Sequence, residues 1–284
     1  MIGVFDSGFG GLTILKDIRR KLPQYDYLYL GDNARAPYGT RSFDVVYEYT
    51  LEAVKYLFSQ GCRLVVLACN TASAKALRTI QQRDLPTLVP AADSSGLPSK
   101  RVLGIIRPTA ESVGLYTKNG HVGVLATPGT VASESYPIEI HHLLPEVVVT
   151  QQACPMWVPI VENAEFDGDG ADYFVEKYLN EIFLKDPEID TLILACTHYP
   201  LLMRKIEKAL QKRREAGMHP VCLLAQGRLV AESLSDYLNR HQELERQLSK
   251  GGNCSYLTTE SEDKFAQSAA IFMGEDICVK HIDL

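Results

Sequence analysis

The fold is decided by two similar stretches of sequence: LVVLACNTAS at residues 64–73 and LILACTHYPL at residues 192–201. Each begins with a short apolar run, continues through Ala-Cys and ends in polar residues suited to opening a helix. A second pair, IGVFDSGFGG at residues 2–11 and VGVLATPGTV at residues 122–131, has the order strand, glycine-containing turn, helix. The cysteines of the first pair are 127 positions apart, and the two stretches of the second pair are offset by 120 positions. One such pair would be explained by the general similarity of strand-to-helix turns, but two pairs in register favour a duplicated lobe.

The rest of the chain alternates in the same way between short apolar strands and helical patterns. Because continuous apolar strands separated by helices are typical of parallel sheets covered on both faces, the pattern predicts an α/β fold with two mainly parallel sheets. The predicted strands lie near 1–5, 26–30, 63–68, 101–106, 121–126, 146–150, 190–195, 255–259 and 278–282. The predicted helices lie near 11–21, 42–60, 71–83, 109–118, 170–184, 201–216, 228–248 and 263–273.

Two passages rich in Pro, Gly and Ser are candidates for crossings between the lobes. They are PAADSSGLPSK at residues 90–100 and the region around 217–220. We therefore expect a first lobe made of residues 1–97 plus 218–284, and a second lobe made of residues 98–217.

The composition argues against several classes of protein. The chain has 284 residues and a formal net charge of −6, so it has no overall field to attract nucleic acid or an anionic membrane. No apolar run is long enough to span a bilayer, and the seven cysteines include no CxxC pair of the kind that binds zinc. We expect a cytoplasmic enzyme without a metal.

Polar side chains collect where the predicted strands end, which is where open parallel sheets bind their ligands. Two of them, Cys69 and Cys196, stand in matching turns between a strand and a helix. The positive end of a helix favours a thiolate, which is a better base or nucleophile than a thiol. Buried cysteines are usually inert, and that explanation suffices for the other five taken singly. It is weak for two cysteines in matching polar turns.

Two equivalent thiols suit a reaction that inverts a carbon stereocentre without a cofactor. Such a reaction needs a base on one face of the carbon and an acid on the other, and the two roles exchange in the reverse direction. Each thiol can serve as either, and proton transfer requires both to be positioned close to the reacting carbon.

Five motifs in order then resemble the glutamate racemases of the aspartate/glutamate racemase family. They are DSGFGG at 6–11, GDNARAPYG at 31–39, ACNTAS at 68–73, GIIRP at 104–108 and CTHYP at 196–200. The resemblance spans most of the chain, including its tail. It implies two pseudosymmetric α/β lobes with the active site in the cleft between them, no cofactor, a homodimer, and the supply of D-glutamate for peptidoglycan.

The resemblance also implies roles for individual residues, carried over motif by motif. Cys69 and Cys196 match the two catalytic acid/bases, and Asp6 and His198 match residues that assist them. The positions that match contacts to the glutamate substrate are Asp6, Ser7, Tyr38, Gly39, Asn70, Thr71, Thr197 and His198. Supporting positions are Asp32, Thr127 and Glu162.

Further expectations concern geometry and substrate anchoring. We expect both sulfurs to face the cleft with a separation of roughly 6–8 Å, because the reacting carbon must lie about 3–3.5 Å from each group. Basic residues do not cluster in the motifs, with Arg35 the exception. Backbone N–H groups and hydroxyls are therefore expected to bind the substrate carboxylates.

The sequence departs from the family at three places and leaves two alternatives open. Ala195 replaces a common glycine, residues 90–98 look longer than usual, and LLAQGRLVAESL at 223–234 lacks an expected Asp-Ser. A relative with the same two thiols that acts on aspartate is one alternative. A non-catalytic protein that senses amino acids or contacts a partner protein is the other, although both thiols and their polar neighbours are intact.

Overall fold

The computed structural model describes residues 1–88 and 100–284. Its strands are β1 (Ile2–Asp6), β2 (Tyr27–Gly31), β3 (Leu64–Leu67), β4 (Arg101–Gly104), β5 (His121–Ala126), β6 (Val148–Ala153), β7 (Thr191–Ala195), β8 (Cys222–Leu224), β9 (Cys254–Thr258) and β10 (Val279–His281). Its helices are α1 (Gly11–Lys21), α2 (Phe43–Ser59), α3 (Asn70–Lys75), α4 (Leu77–Thr79), α5 (Leu85–Leu88), α6 (Ile106–Ser112), α7 (Pro128–Ala132), α8 (Ser135–Leu143), α9 (Trp157–Glu162), α10 (Asp169–Lys185), α11 (Met203–Glu215), α12 (Gln226–Arg240), α13 (Gln242–Glu245) and α14 (Glu262–Met273).

The described chain divides into two units. The first contains Met1–Ile105 and Gly227–Leu284, and the second contains Ile106–Gln226. The crossing expected at residues 90–100 falls almost entirely on 89–99, which lie outside the described residues. The expected boundary at 217/218 lies upstream of the one between Gln226 and Gly227.

The first unit contains a six-stranded parallel sheet in the order β10-β9-β2-β1-β3-β4. All five residues of β1 and all four of β3 are buried, as expected of strands covered on both faces. In the register of this pair Phe5 lies opposite Leu67, so the residues that follow the two strands emerge side by side. This edge of the sheet carries the motif residues of the first unit.

The second unit contains a four-stranded parallel sheet in the order β6-β5-β7-β8. Its inner strands end together, because Ala126 of β5 lies opposite Ala195 of β7. The polar residues that follow these two strands are therefore neighbours. The α/β fold and the two parallel sheets predicted from the sequence are confirmed.

Most predicted elements are found within a few residues of their expected bounds, with instructive differences. The helix expected at 71–83 is divided into α3, α4 and a π-helical turn at Ile80–Asp84. The sequence pattern predicts no element at α8 or α9. Each of these helices contains an internal proline, which a sequence-based reading treats as a helix breaker. Burial of Tyr136 and Ile140 one helical turn apart instead stabilises α8. None of the helices in the two described ranges is long and apolar enough to cross a bilayer.

Candidate active site

The first predicted thiol lies beside the first polar turn of the chain. Ser7 follows β1 and Cys69 follows β3, and their side chains meet with Oγ and Sγ 3.4 Å apart. Cys69 is 5% exposed, so its sulfur is largely withdrawn from water. The register of the parallel strands thus brings together two residues that are 62 positions apart in sequence.

Cys69 also caps the helix that follows it. It is the N-cap residue of α3, and its sulfur accepts a hydrogen bond from the backbone N–H of Ala72 at 3.4 Å. An N–H group directed at sulfur, at the positive end of a helix, stabilises thiolate relative to thiol. Asn70 and Thr71 form the first turn of α3 and are both buried. The structure confirms the predicted position of this thiol, between the end of a strand and the N-terminus of a helix.

Asp6 shapes the turn that holds Ser7. Its Oδ2 atom accepts hydrogen bonds from the backbone N–H groups of Gly8 at 3.1 Å and Gly11 at 2.9 Å. Gly11 is required by close approach, since a Cβ there would lie 2.5 Å from the Cβ of Asp6. Asp6 is 1% exposed. Its carboxylate therefore fixes the start of α1 beside the thiol, which is a structural role.

The loop after β2 is organised around the buried carboxylate of Asp32. Its Oδ2 atom accepts hydrogen bonds from the hydroxyl of Tyr38 and from Nε of Arg35, the latter at 2.7 Å. Its Oδ1 atom accepts a hydrogen bond from the hydroxyl of Thr259 at 2.9 Å. Burial, and then the negative charge of Asp32, raise the pKa of Tyr38 well above its ordinary value. The Tyr38 phenol therefore remains protonated and turned toward Asp32, so a ligand would meet this residue through its backbone.

Arg35 is held by side chains of its own unit. Besides Asp32 it donates to Glu52, and its guanidinium carbon lies 4.1 Å from the centre of the Tyr49 ring. These contacts leave its charge compensated. Arg35 thus supports the loop that carries Tyr38 and Gly39.

The second predicted thiol has a different kind of partner. Cys196 follows β7 directly and is 6% exposed, and its sulfur lies 3.8 Å from Nδ1 of His198. The other ring nitrogen of His198 lies 3.1 Å from Oε1 of Glu162, the last residue of α9. Thiol, imidazole and carboxylate thus form a chain of three ionisable groups.

The imidazole of this chain favours its charged form. Burial lowers the pKa of His198, but hydrogen bonds and charge interactions with Cys196 and Glu162 outweigh burial and raise it to about 10. A protonated His198 therefore places a positive charge between the sulfur of Cys196 and the carboxylate of Glu162. In the protonated ring Nδ1 donates to the sulfur and Nε2 donates to the carboxylate.

The helix expected at 201–216 is found as α11 and is preceded by a short 3₁₀ helix. A short 3₁₀ helix starts at Tyr199 with His198 as its N-cap, and α11 starts only at Met203. Cys196 is therefore not a helix N-cap, and its sulfur has a side chain as its neighbour, whereas Cys69 caps α3 and its sulfur accepts a hydrogen bond from a backbone N–H. The two matching turns hold their thiols by different means.

The other predicted residues of the second unit lie at the same edge of its sheet. Thr127 follows β5 and caps α7, with its hydroxyl accepting from the N–H of Thr130 at 3.3 Å. Thr197 is 4% exposed between Cys196 and His198. Each unit thus gathers its own predicted residues at one sheet edge.

Two supporting residues escape the sequence analysis. Thr259 follows β9 and reaches Asp32 because β9 is the neighbour of β2, and Glu52 projects from α2 to Arg35. The same signal used elsewhere, a polar residue just beyond a strand, would have identified Thr259. Nothing local distinguishes Glu52 from other acidic residues on helix surfaces.

A cavity of about 350 Å³ in the first unit is lined by none of the predicted residues. Two of its cations are already engaged, because Lys16 donates to the carbonyl of Met273 and Arg20 pairs with Asp17. Within residues 1–88 and 100–284, no group of three or more His, Cys, Asp or Glu side chains is arranged to hold a metal ion.

The sequence and the fold both match known proteins. The sequence model of the family described as Asp/Glu/Hydantoin racemase matches residues 9–224. A glutamate racemase from Geobacter metallireducens is 39% identical over 273 residues, covering 96% of this chain and 92% of that protein.

Solved structures give the same result for the fold. A glutamate racemase isoform from Bacillus anthracis superimposes with a TM-score of 0.85 at 35% identity, covering 100% of this chain and 97% of the other. A glutamate racemase from Francisella tularensis, solved in complex with D-glutamate, has a TM-score of 0.81 at 30% identity, covering 99% of this chain and 97% of the other.

Proposed function

Because the chain belongs to the Asp/Glu/Hydantoin racemase family, we propose that it is a glutamate racemase that interconverts L-glutamate and D-glutamate without a cofactor. The observation that carries the proposal is the pair of buried thiols at matching strand ends, each with a partner that stabilises thiolate. Proteins named glutamate racemase resemble this chain over nearly its whole length.

The proposed reaction is two proton transfers on opposite faces of the α-carbon. In one direction the thiolate of one cysteine removes the α-proton, and the electron pair of the C–H bond moves into the substrate carboxylate. The thiol of the other cysteine then donates its proton to the opposite face. The two sulfurs have exchanged protonation states, so the same pair runs the reaction in reverse. We assign these roles to Cys69 and Cys196.

The neighbouring groups would assist each thiol differently. The protonated His198, held by Glu162, stabilises thiolate at Cys196 through its charge. At Cys69 the N–H of Ala72 serves this purpose, and Asp6 holds the adjacent turn while offering its carboxylate to the substrate ammonium. Both arrangements are built before substrate arrives, which lowers the cost of reorganisation.

Substrate anchoring would fall to hydroxyls and backbone N–H groups. Arg35 is engaged with Asp32 and Glu52, which favours a site without a direct arginine clamp. Thr127, Glu162 and Asp32 would act by supporting the residues that touch substrate. The proposed contacts are Asp6, Ser7, Tyr38, Gly39, Asn70, Thr71, Thr197 and His198.

We further propose that the enzyme is a cytoplasmic homodimer that supplies D-glutamate for peptidoglycan and has neither nucleic acid nor membrane as a partner. All seven cysteines are free, which agrees with a reducing compartment. The net charge of −6 agrees with a small-molecule enzyme better than with a protein that binds polyanions.

Circular dichroism of each glutamate enantiomer, incubated with the protein, tests the function. We expect both solutions to lose optical activity and, in D₂O, to gain deuterium at the α-carbon. Exchange and inversion with aspartate but not glutamate would instead identify an aspartate racemase. Binding of glutamate without exchange would leave an amino-acid-binding protein.

A further inference from the structure

Lys75, the last residue of α3, is a buried cation close to the candidate substrate loop. It is 9% exposed, and its ammonium donates a hydrogen bond of 2.6 Å to the backbone carbonyl of Arg41. The same nitrogen lies 4.8 Å from the centre of the Phe43 ring. Burial lowers the pKa of Lys75. Within the two described ranges its nitrogen forms no ion pair, and its partners are a backbone carbonyl and an aromatic face.

Burying a lysine side chain without a carboxylate partner costs stability, so the contacts that Lys75 makes must offset that cost. A cation at a helix C-terminus usually serves the carbonyls of its own helix. Lys75 instead reaches across to a different segment, the turn between β2 and α2. Its contact joins two parts of the first unit rather than completing one helix.

The segment that it reaches is the turn that carries Gly39. The N–H of Arg41 donates to the carbonyl of Tyr38 at 3.1 Å and closes this turn, and Nε of Arg41 donates to the carbonyl of Arg35 at 3.1 Å. Lys75 therefore holds the turn at Arg41, its last residue, whereas Asp32 holds it at Tyr38, its first residue. The helix from which Lys75 projects starts immediately after Cys69.

We propose that Lys75 is a positioning residue for substrate binding, which sets the Tyr38–Arg41 turn at a fixed distance from the N-terminus of α3. Its charge also lies behind a turn that offers Gly39 to an anionic substrate, where a cation lowers the cost of binding a carboxylate. This inference rests on the proposed function, because it concerns the same site.

The test compares variants that separate charge from packing. K75M keeps the length and the apolar stem of the side chain but removes the charge and the hydrogen bond. We expect K75M to raise the KM for glutamate roughly tenfold while changing kcat less than about twofold, the pattern of an interaction made equally in the bound and transition states. K75R retains a cationic donor and should return KM to within about threefold of the parent value.

Lys100 provides a matched control at the opposite end of α2. Its ammonium is 3.4 Å from the carbonyl of Phe58 and 4.9 Å from the centre of that ring, so it repeats the combination of carbonyl and aromatic face. Phe43 and Phe58, the rings that the two lysines contact, are separated by about 22 Å along the axis of α2. K100M should leave KM within about twofold of the parent.

An unchanged KM in K75M would overturn the proposal, as would an equal rise in K100M or a failure of K75R to restore the value. If K75M does not fold, as judged by circular dichroism, K75Q takes its place with the same expectations. Should the parent protein fail to racemise glutamate, the proposed function fails. The dissociation constant for glutamate, measured calorimetrically, would then still decide the role of Lys75.

Discussion

His198 and Glu162 are 36 positions apart in sequence, yet Nε2 of the imidazole lies 3.1 Å from Oε1 of the carboxylate. The pair places a charged ring against Cys196, whose sulfur is 3.8 Å from the other ring nitrogen. Glu162 is thus linked to the thiol through the imidazole, and in the proposed reaction its effect on Cys196 passes through that ring. The carboxylate ends one helix and the histidine opens the next, so the contact depends on how α9 packs beside the 3₁₀ turn at Tyr199–Leu202.

Replacement of Glu162 by Gln should lower kcat roughly 10- to 100-fold, because a hydrogen bond to a charged group contributes roughly 1.5–3 kcal/mol. Steady-state rates with both glutamate enantiomers measure this effect. The exposed Glu165, three residues further on, provides the control, and E165Q should be as active as the parent protein. Equal rates for E162Q and E165Q would refute the role of the carboxylate.

The charge on His198 should also appear in the pH dependence of stability. Its pKa is about 10 in the folded protein and about 6.5 when unfolded. The stabilisation is therefore complete below pH 6.5 and is lost as the pH rises toward 10. Urea denaturation should show the unfolding free energy of the parent falling more steeply with pH across this range than that of H198N. Parallel curves for the two proteins would show that His198 is neutral in the folded state.

The two thiols should be distinguishable by the enantiomer on which each acts as base. C69A and C196A should abolish racemisation in both directions, because each direction uses both groups. C69S and C196S should each still eliminate the leaving group from one enantiomer of a β-substituted glutamate analogue, the one whose α-proton faces the remaining thiol. The amount of leaving group released measures the rate of elimination.

The enantiomer preferred by C69S should be the opposite of that preferred by C196S. C278S, at an exposed cysteine, should retain full activity and serves as the control. Equal loss for both enantiomers in both serine variants would contradict the assignment of one thiol to each face.

Gly11 should tolerate no side chain, because a Cβ would lie 2.5 Å from the Cβ of Asp6 and displace the carboxylate that fixes the turn. G11A should lose about 2 kcal/mol of unfolding free energy and most of its activity. Gly170 in α10 has open space around it, so G170A should be as stable as the parent or up to about 1 kcal/mol more stable. Thermal denaturation of G11A and G170A measures the change in stability, and racemisation assays of both variants measure the change in activity. A G11A variant as stable and active as G170A would remove the structural role given to the Asp6 turn.

The sequence predicts those features of the fold that depend on the pattern of neighbouring residues, such as the positions of the strands. Buried apolar runs locate nearly all the strands, and in parallel sheets the residues that follow such strands gather at one edge, which is how Cys69 and Ser7 come together. The predicted placement of Cys69 at a helix N-terminus follows from the same local reasoning.

What the sequence does not predict depends on contacts between distant segments. The helices α8 and α9 form despite their prolines because packing overrides local preference. Thr259 reaches Asp32 across 227 positions, and only the neighbouring arrangement of β2 and β9 reveals it. The two turns have similar sequences, so the sequence does not show that their thiols have different partners. The sulfur of Cys69 accepts from a backbone N–H, whereas that of Cys196 contacts an imidazole.

The pairing of Phe5 with Leu67 has a consequence for how such a protein can change over time. Along a strand each residue advances the chain by about 3.3 Å and reverses the direction of its side chain. One residue inserted before Cys69 would therefore carry the sulfur away from Ser7 and point it toward the wrong layer. Insertions and deletions in the βα turns would be eliminated by selection, whereas point substitutions in the surrounding loops could accumulate. New substrate preferences would then arise by substitution of the side chains around the two cysteines, whose positions in the βα turns stay fixed.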